Sequence, residues 1–282
     1  MAHPAPTVAE LLAAVGRSPA AVAVHDRAAW VGLFSDGARV NDPVGSRPHV
    51  GRAAIEKFYD TFIAPNTITF RVTRDVVCGL SVVRDLELET RMSTGVVLTV
   101  PMHLRYDLVA EARGVSLDRL YAHWELPVMI GQLARAGWRG AAASAKLGPQ
   151  LLSNQGVLGA TGFMRGVRTV GRPGRNAAIG FLVAVRRQDS AAVSARLARG
   201  ATLELSAGTP LELSAGTPLA VDEFTKTLRE LRWNKMIVAG RTVTASVNAA
   251  GWEGVALIEF TPRSHEISRV RMYVEPVDPF TK

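Results

Sequence analysis

Along residues 7–62 the apolar positions recur at helical spacing, and beyond residue 66 the period changes to that of strands. Thr7 can cap a first helix over 7–15, with Glu10 completing a capping box and Leu11, Leu12 and Val15 forming the apolar face. Pro19 can open a second helical run through Val24. Asp26 caps a third, in which Ala29, Trp30, Leu33 and Phe34 share a face until Gly37 stops it. After a short strand from Ala38 and the turn Asp42-Pro43-Val44-Gly45, a further helix begins near Arg52 with Ile55, Phe58, Tyr59 and Phe62 on one side. Alternating or β-branched runs follow at 68–72, 76–83, 86–92, 96–106 and 115–124. These runs lie too close together for βαβ crossovers. The pattern therefore predicts an α+β fold, helices packed on a curved antiparallel sheet, rather than a doubly wound one.

The pattern recurs. HDRAAWVGLFSDGARVND (25–42) aligns without gaps on QDSAAVSARLARGATLEL (188–205), placing Asp26 on Asp189 and Gly37-Ala38 on Gly200-Ala201. AAIEKFY (53–59) matches LAVDEFT (219–225), and LDRLYAHWE (117–125) matches ISRVRMYVE (267–275). Three weak matches in one order predict two copies of one domain: residues 1–127, a helical basic linker at 128–176, and a degenerate second copy at 177–282. Within the second copy LELSAGTP occurs in tandem at 203–210 and 211–218, which reads as a lengthened surface loop.

The string DRAAWVGLFSDGARVNDPVGSRPHVGRAAIEKFYDTF (26–62) resembles the helix–strand–helix of bacterial ketosteroid isomerases and their SnoaL-like relatives in the nuclear transport factor 2-like superfamily. The DPVG turn followed by GRAAIEKFY is its most specific part. The resemblance spans residues 8–125 well and 177–276 faintly. It implies two cone-shaped domains of that superfamily, paired as an intrachain pseudo-dimer. It also implies that Asp42 is the base that moves a proton between two carbons of a hydrophobic enone, a task suited to a carboxylate in an apolar pocket. Tyr59 matches a supporting tyrosine and is a substitute hydrogen-bond donor, and Trp124 matches a pocket-lining position. The family's oxyanion tyrosine falls at or beside Ser18 and its protonated acid near Met102, so neither donor is present. Met102, Phe58, Trp124 and His123 are the candidate substrate-contacting residues. His103 also lies beside the lost acid, but strand alternation puts it on the face opposite Met102. In the second copy Leu205 replaces Asp42 and Thr225 replaces Tyr59, which predicts a cone without catalysis.

Read for structure alone, Asp42 is a turn residue before Pro43, Tyr59 a core tyrosine and Asp26 a helix cap. Two functions remain open at this level. One is cofactor-independent isomerisation, or a related lyase or cyclase reaction, on a steroid-like or polyketide-like enone. The other is non-catalytic binding of a hydrophobic small molecule. His25, His49 and His123 lack paired metal-ligand spacing, and GVLGATG and VGRPGR lack the flanking strand and Lys-Ser/Thr of a phosphate loop, so neither a metal nor a cofactor is expected.

The 282 residues are 48% hydrophobic and carry a formal charge of +8. No nucleic-acid-binding module accompanies that charge, so nucleic acid is not an expected partner. Much of it is local. From Leu126 to Gln188 there is no Asp or Glu, while Arg135, Arg139, Lys146, Arg165, Arg168, Arg172, Arg175, Arg186 and Arg187 all fall inside. This segment reads as helices that clasp the two cones or that lie on a membrane through 128–176, with bases facing anionic headgroups. The lone Cys78 and an N-terminus without a leader pattern point to the cytoplasm.

Overall fold

A computed structural model describes residues 5–112, 114–207, 217–218 and 221–277. Its first half consists of α1 (Val8–Ala23), α2 (Arg27–Val31), β1 (Phe34–Asn41), β2 (His49–Val50), α3 (Arg52–Phe58) with a π-helical turn at Tyr59–Ile63, and strands β3 (Asn66–Cys78), β4 (Ser81–Met92), β5 (Val97–Glu111) and β6 (Gly114–His123). Two helices follow, α4 (Leu126–Arg135) and α5 (Gly137–Met164), the latter kinked at Gly156. The second half contains α6 (Gly171–Arg186), α7 (Ser190–Ser194), β7 (Leu197–Ala207), β8 (Thr217–Pro218), α8 (Val221–Thr227), β9 (Arg232–Ala239), β10 (Thr242–Ala249), β11 (Trp252–Phe260) and β12 (Ile267–Pro276). Most of the tandem LELSAGTP stretch, expected to lengthen a surface loop, lies outside the described residues, at 208–216.

Two six-stranded sheets result, ordered β2-β1-β6-β5-β4-β3 and β8-β7-β12-β11-β10-β9. Each is mixed rather than wholly antiparallel, because β1 runs parallel to β6 and β7 parallel to β12. Helices cover one face of each, giving two α+β cones. Local devices recur as well. His25 and Gln188 both adopt positive φ, Asp26 and Asp189 cap the amides of Ala29 and Ala192, and Gly37 and Gly200 sit at φ 78 and 77. In both halves these glycines fall within the register shift of the parallel strand pair, where a left-handed residue lets the strand bulge.

Two expected boundaries move. Helix α1 runs unbroken past Pro19, because its face of Leu11, Ala14, Val15, Ser18, Ala21 and Val22 is buried, and tertiary burial outweighs the local cost of proline. Helix α2 ends at Val31, and Phe34 already belongs to β1. Trp30 and Phe34 share a core contact, ring centroids 4.8 Å apart, across the helix-to-strand junction, which the sequence period mistook for one helix. Helix α6 likewise starts inside the segment expected to be linker.

The outward faces of the two sheets pack together. Val76, Cys78 and Val83 meet Val255, Leu257 and Tyr273 in an apolar cluster of their own. Beside it, Asp85 accepts hydrogen bonds from Lys235 Nζ at 2.5 Å and Ser246 Oγ at 2.6 Å, and the ring nitrogens of His103 lie 2.7 Å from Thr244 Oγ1 and 3.0 Å from Ser246 Oγ. Burial lowers the His103 pKa to about 4, so the ring is neutral here near pH 7. Glu125, at the end of β6, accepts from the Val238 amide at 2.7 Å and pairs with Arg175, tying both sheets to α6.

Candidate functional site

The concave side of the first sheet lines a partly open cavity of about 150 Å³. That is smaller than the roughly 300–1,000 Å³ of typical small-molecule sites. Its wall is overwhelmingly apolar, with Phe58, Phe62, Phe70, Leu88, Leu98 and Met102 among the contributors. The polar residues lining it are Ser18, Asp42, Asn66, Thr90 and Tyr106, together with the indole of Trp124.

Asp42 stands where β1 leaves the sheet, and the parallel pairing of Asn41 with Tyr121 brings it beside Trp124, just past the end of β6. Trp124 Nε1 donates to Asp42 Oδ1 at 2.6 Å. Among the described residues Oδ2 has no hydrogen-bond partner. Burial lifts the Asp42 pKa to about 6, against the opposing pull of the Trp124 hydrogen bond. One carboxylate oxygen is thus fixed and the other retains free lone pairs, as a proton acceptor at neutral pH requires.

The turn carrying Asp42 is anchored on three sides. Val44 N donates to Ala122 O at 2.8 Å, Arg47 N to Gly162 O at 3.0 Å, and Asn41 Nδ2 to Ser46 O at 3.1 Å. Gly45, at φ 99, approaches Gly240 in the β9–β10 turn so closely that a Cβ at Gly45 would lie 2.6 Å from the Gly240 Cα. The second sheet therefore buttresses the turn that bears the carboxylate.

Strand β5 sorts its residues by parity. Met102, Leu104 and Tyr106 face the cavity, while His103 and Arg105 face away from it. Tyr106 is 1% exposed, and burial raises its phenol to about pKa 12, the Arg84 charge and the nearby Ser18 hydroxyl opposing that rise and the Asp75 and Asp42 charges adding to it. It is a neutral O–H donor at any ordinary pH. Ser18 also accepts from Trp30 Nε1 at 3.1 Å, which orients it from α1.

Of the residues expected from sequence, Asp42, Trp124, Met102 and Phe58 line one cavity. Tyr59 and His123 are not brought to it. The Tyr59 hydroxyl is buried without a partner behind the wall, its ring 5.6 Å from that of Trp30. His123 points toward the other sheet, with Nδ1 3.3 Å from His103 O, and burial lowers its pKa to about 3. The sequence reading passed over Tyr106, although its parity with Met102 on β5 was the signal that places it inward. It also passed over the closure from the linker, because Met129 and Leu133 of α4 and Leu147 and Phe163 of α5 complete the wall. Among the described residues no three His, Cys, Asp or Glu side chains cluster to hold a metal.

Solved structures similar to the chain include the Delta 5-3-ketosteroid isomerase from Mycobacterium sp., with 28% identity over 42% of this chain and 95% of that one at a TM-score of 0.39. A Mycobacterium tuberculosis protein in complex with estradiol-17beta-hemisuccinate is 23% identical over 42% and 95%, at a TM-score of 0.38. A ketosteroid isomerase-like protein from Erwinia carotovora atroseptica is 17% identical over 42% and 95%, at a TM-score of 0.36. Residues 15–126, which hold β1 to β6 and the Asp42 carboxylate, match the model of the SnoaL-like domain.

Proposed function

We propose that the first cone catalyses a cofactor-independent, Δ-isomerase-like proton transfer on a steroid-like or polyketide-like enone. The observation that carries this reading is a single carboxylate, with its pKa lifted to about 6, in a mostly apolar cavity that also presents a neutral phenol. Asp42 Oδ2 takes the proton from the carbon between the carbonyl and the double bond, and the electron pair left behind delocalises into a dienolate. The dienolate oxygen accepts a hydrogen bond from the Tyr106 O–H, which develops strength as charge builds on that oxygen. Asp42 then returns the proton to the far carbon, so the double bond moves into conjugation and the enzyme ends unchanged. Tyr106, near Ser18, takes over from β5 the donor function that the family's tyrosine supplies from the position of Ser18. In this account Tyr59 has no direct role.

The second cone is proposed to be a degenerate copy that supports the first, with the domain division at 1–127, 128–176 and 177–282 adjusted so that α6 opens the second unit. Leu205 and Thr225 stand where Asp42 and Tyr59 do, and Phe181, Leu182, Phe224, Leu228 and Leu231 fill its interior.

A non-catalytic hydrophobic binder is the second reading, and the occupation of the family's two donor positions by Ser18 and Met102 favours it. Conversion of a 3-oxo-Δ5 steroid to its conjugated isomer, followed by ultraviolet absorbance, separates the two. Turnover by the native chain that vanishes in Asp42→Asn supports the enzyme. Steroid binding without turnover in the native chain supports the binder, and turnover surviving in Asp42→Asn rules out the assigned base.

A further inference from the structure

Helix α5 has two faces with different tasks. Gly140, Ala143, Leu151 and Phe163 are buried against the first cone, and Leu147 and Phe163 reach its cavity. On the other side Trp138 is 76% exposed, Leu152 53%, Val157 69%, Leu158 73% and Met164 51%. Positions 138, 145 and 152 recur at seven-residue spacing, so Trp138, Ala145 and Leu152 make one outward stripe, and Val157, Leu158 and Met164 are exposed on the segment beyond the kink at Gly156. Single exposed apolar residues are ordinary, whereas five large ones exposed within one 27-residue stretch are not.

The rim of that row is cationic. Arg135, Arg139, Lys146, Arg165 and Arg168 are all exposed, none is ion-paired among the described residues, and no acid lies between Leu126 and Gln188. Arg139 rests over the Trp138 ring at 5.5 Å, leaving a bulky aromatic flanked by positive charge. Thr161, Met164, Arg165 and Arg168 also line a surface recess, in which two guanidinium groups are available to an anionic headgroup. Ala160 completes its wall.

From these observations we infer that the outer face of α5 docks on an anionic lipid surface, with Trp138, Leu152, Val157 and Leu158 entering the acyl boundary and the five cations meeting the headgroups. The apolar row supplies burial and the missing acids remove repulsion, the combination an interfacial helix needs. Its consequence is positional. The same helix that would lie on the lipid forms part of the cavity wall on its other side, so a lipophilic ligand leaving the bilayer meets the cavity after one layer of helix. Among the described residues no helix is long and apolar enough to cross the membrane, so the contact is peripheral. The inference rests on the surface and stands whether the cavity catalyses or only binds.

Flotation of the full chain with phosphatidylcholine vesicles, with and without phosphatidylglycerol, tests it. The chain is expected to float with the anionic vesicles and to lose most of that binding near 1 M salt, where the screening length falls to about 3 Å. Trp138→Ala with Leu158→Ser should abolish flotation while circular dichroism is unchanged, since both side chains are exposed. Arg139→Gln and Arg165→Gln should each weaken partitioning about fivefold. Brominated lipid should quench tryptophan fluorescence in the native chain and not in Trp138→Phe. Absence of flotation with anionic vesicles overturns the inference, as does flotation unaffected by the double variant. A concentration-dependent dimer that the double variant dissolves also overturns it, because a second copy would then cover the face.

Discussion

The charge on Asp42 is held at a thermodynamic cost that a single substitution should release. Its pKa rises from an ordinary 3.8 to about 6, which corresponds to roughly 3 kcal/mol of disfavour for the ionised form in the folded state. Asn is isosteric with the neutral acid and can still accept from Trp124 Nε1. Asp42→Asn should therefore be more stable than the native chain by up to about 3 kcal/mol at a pH well above 6. Because the folded pKa is raised, the native chain recovers this stability as pH falls through about 6, and the gap closes toward the unfolded value of 3.8. The depressed pKa values of His103 and His123 destabilise both proteins equally in acid and cancel in the difference. Urea unfolding of both chains at about pH 8 and about pH 4 measures the gap. A difference independent of pH, or a variant less stable than the native chain at pH 8, would show that the carboxylate is well solvated, and the argument for a dry catalytic cavity would fail.

On the proposed mechanism, kcat/KM should rise with pH through about 6 as Asp42 ionises, and a profile flat from pH 5 to 8 would remove Asp42 as the base. Tyr106→Phe should lower kcat by roughly 10²–10³ with little change in KM, the signature of a donor used in the transition state; an equal loss in Tyr59→Phe with none in Tyr106→Phe would reverse the assignment. Lys235→Met, which strands the Asp85 carboxylate between the sheets, should cost about 3 kcal/mol in chemical unfolding. Part of that loss should return in Lys235→Met/Asp85→Asn, and a full-sized loss in the double variant would mean that packing, not charge, links the sheets there.

What the sequence determined by itself was mostly local. Caps at Thr7, Asp26 and Asp189, the glycines Gly37 and Gly200, and the switch of period near residue 66 announce helices followed by hairpins, because each depends on neighbours within a few positions. The Asp-Pro turn is local in the same way, although only the resemblance to ketosteroid isomerases singled out Asp42 within it, and strand parity was enough to turn Met102 inward and His103 outward. Whether Phe34 belonged to helix or strand was not local. Its apolar side chain satisfies either period, and the parallel pairing of Phe34 with Leu117 decided it. The environment of Asp42 was likewise invisible in one dimension. Its raised pKa comes from an apolar wall gathered from α1, α3, β3, β4, β5, β6, α4 and α5, and its hydrogen bond from Trp124, far along the chain. Tyr59 shows the converse. Its helical face correctly predicted burial, but only packing against Trp30 determined that the phenol would lie behind the wall while Tyr106, on a different element, took the open side. Electrostatics and enclosure depend on distances in space, so the tertiary structure alone decided which of the sequence's polar residues share the cavity.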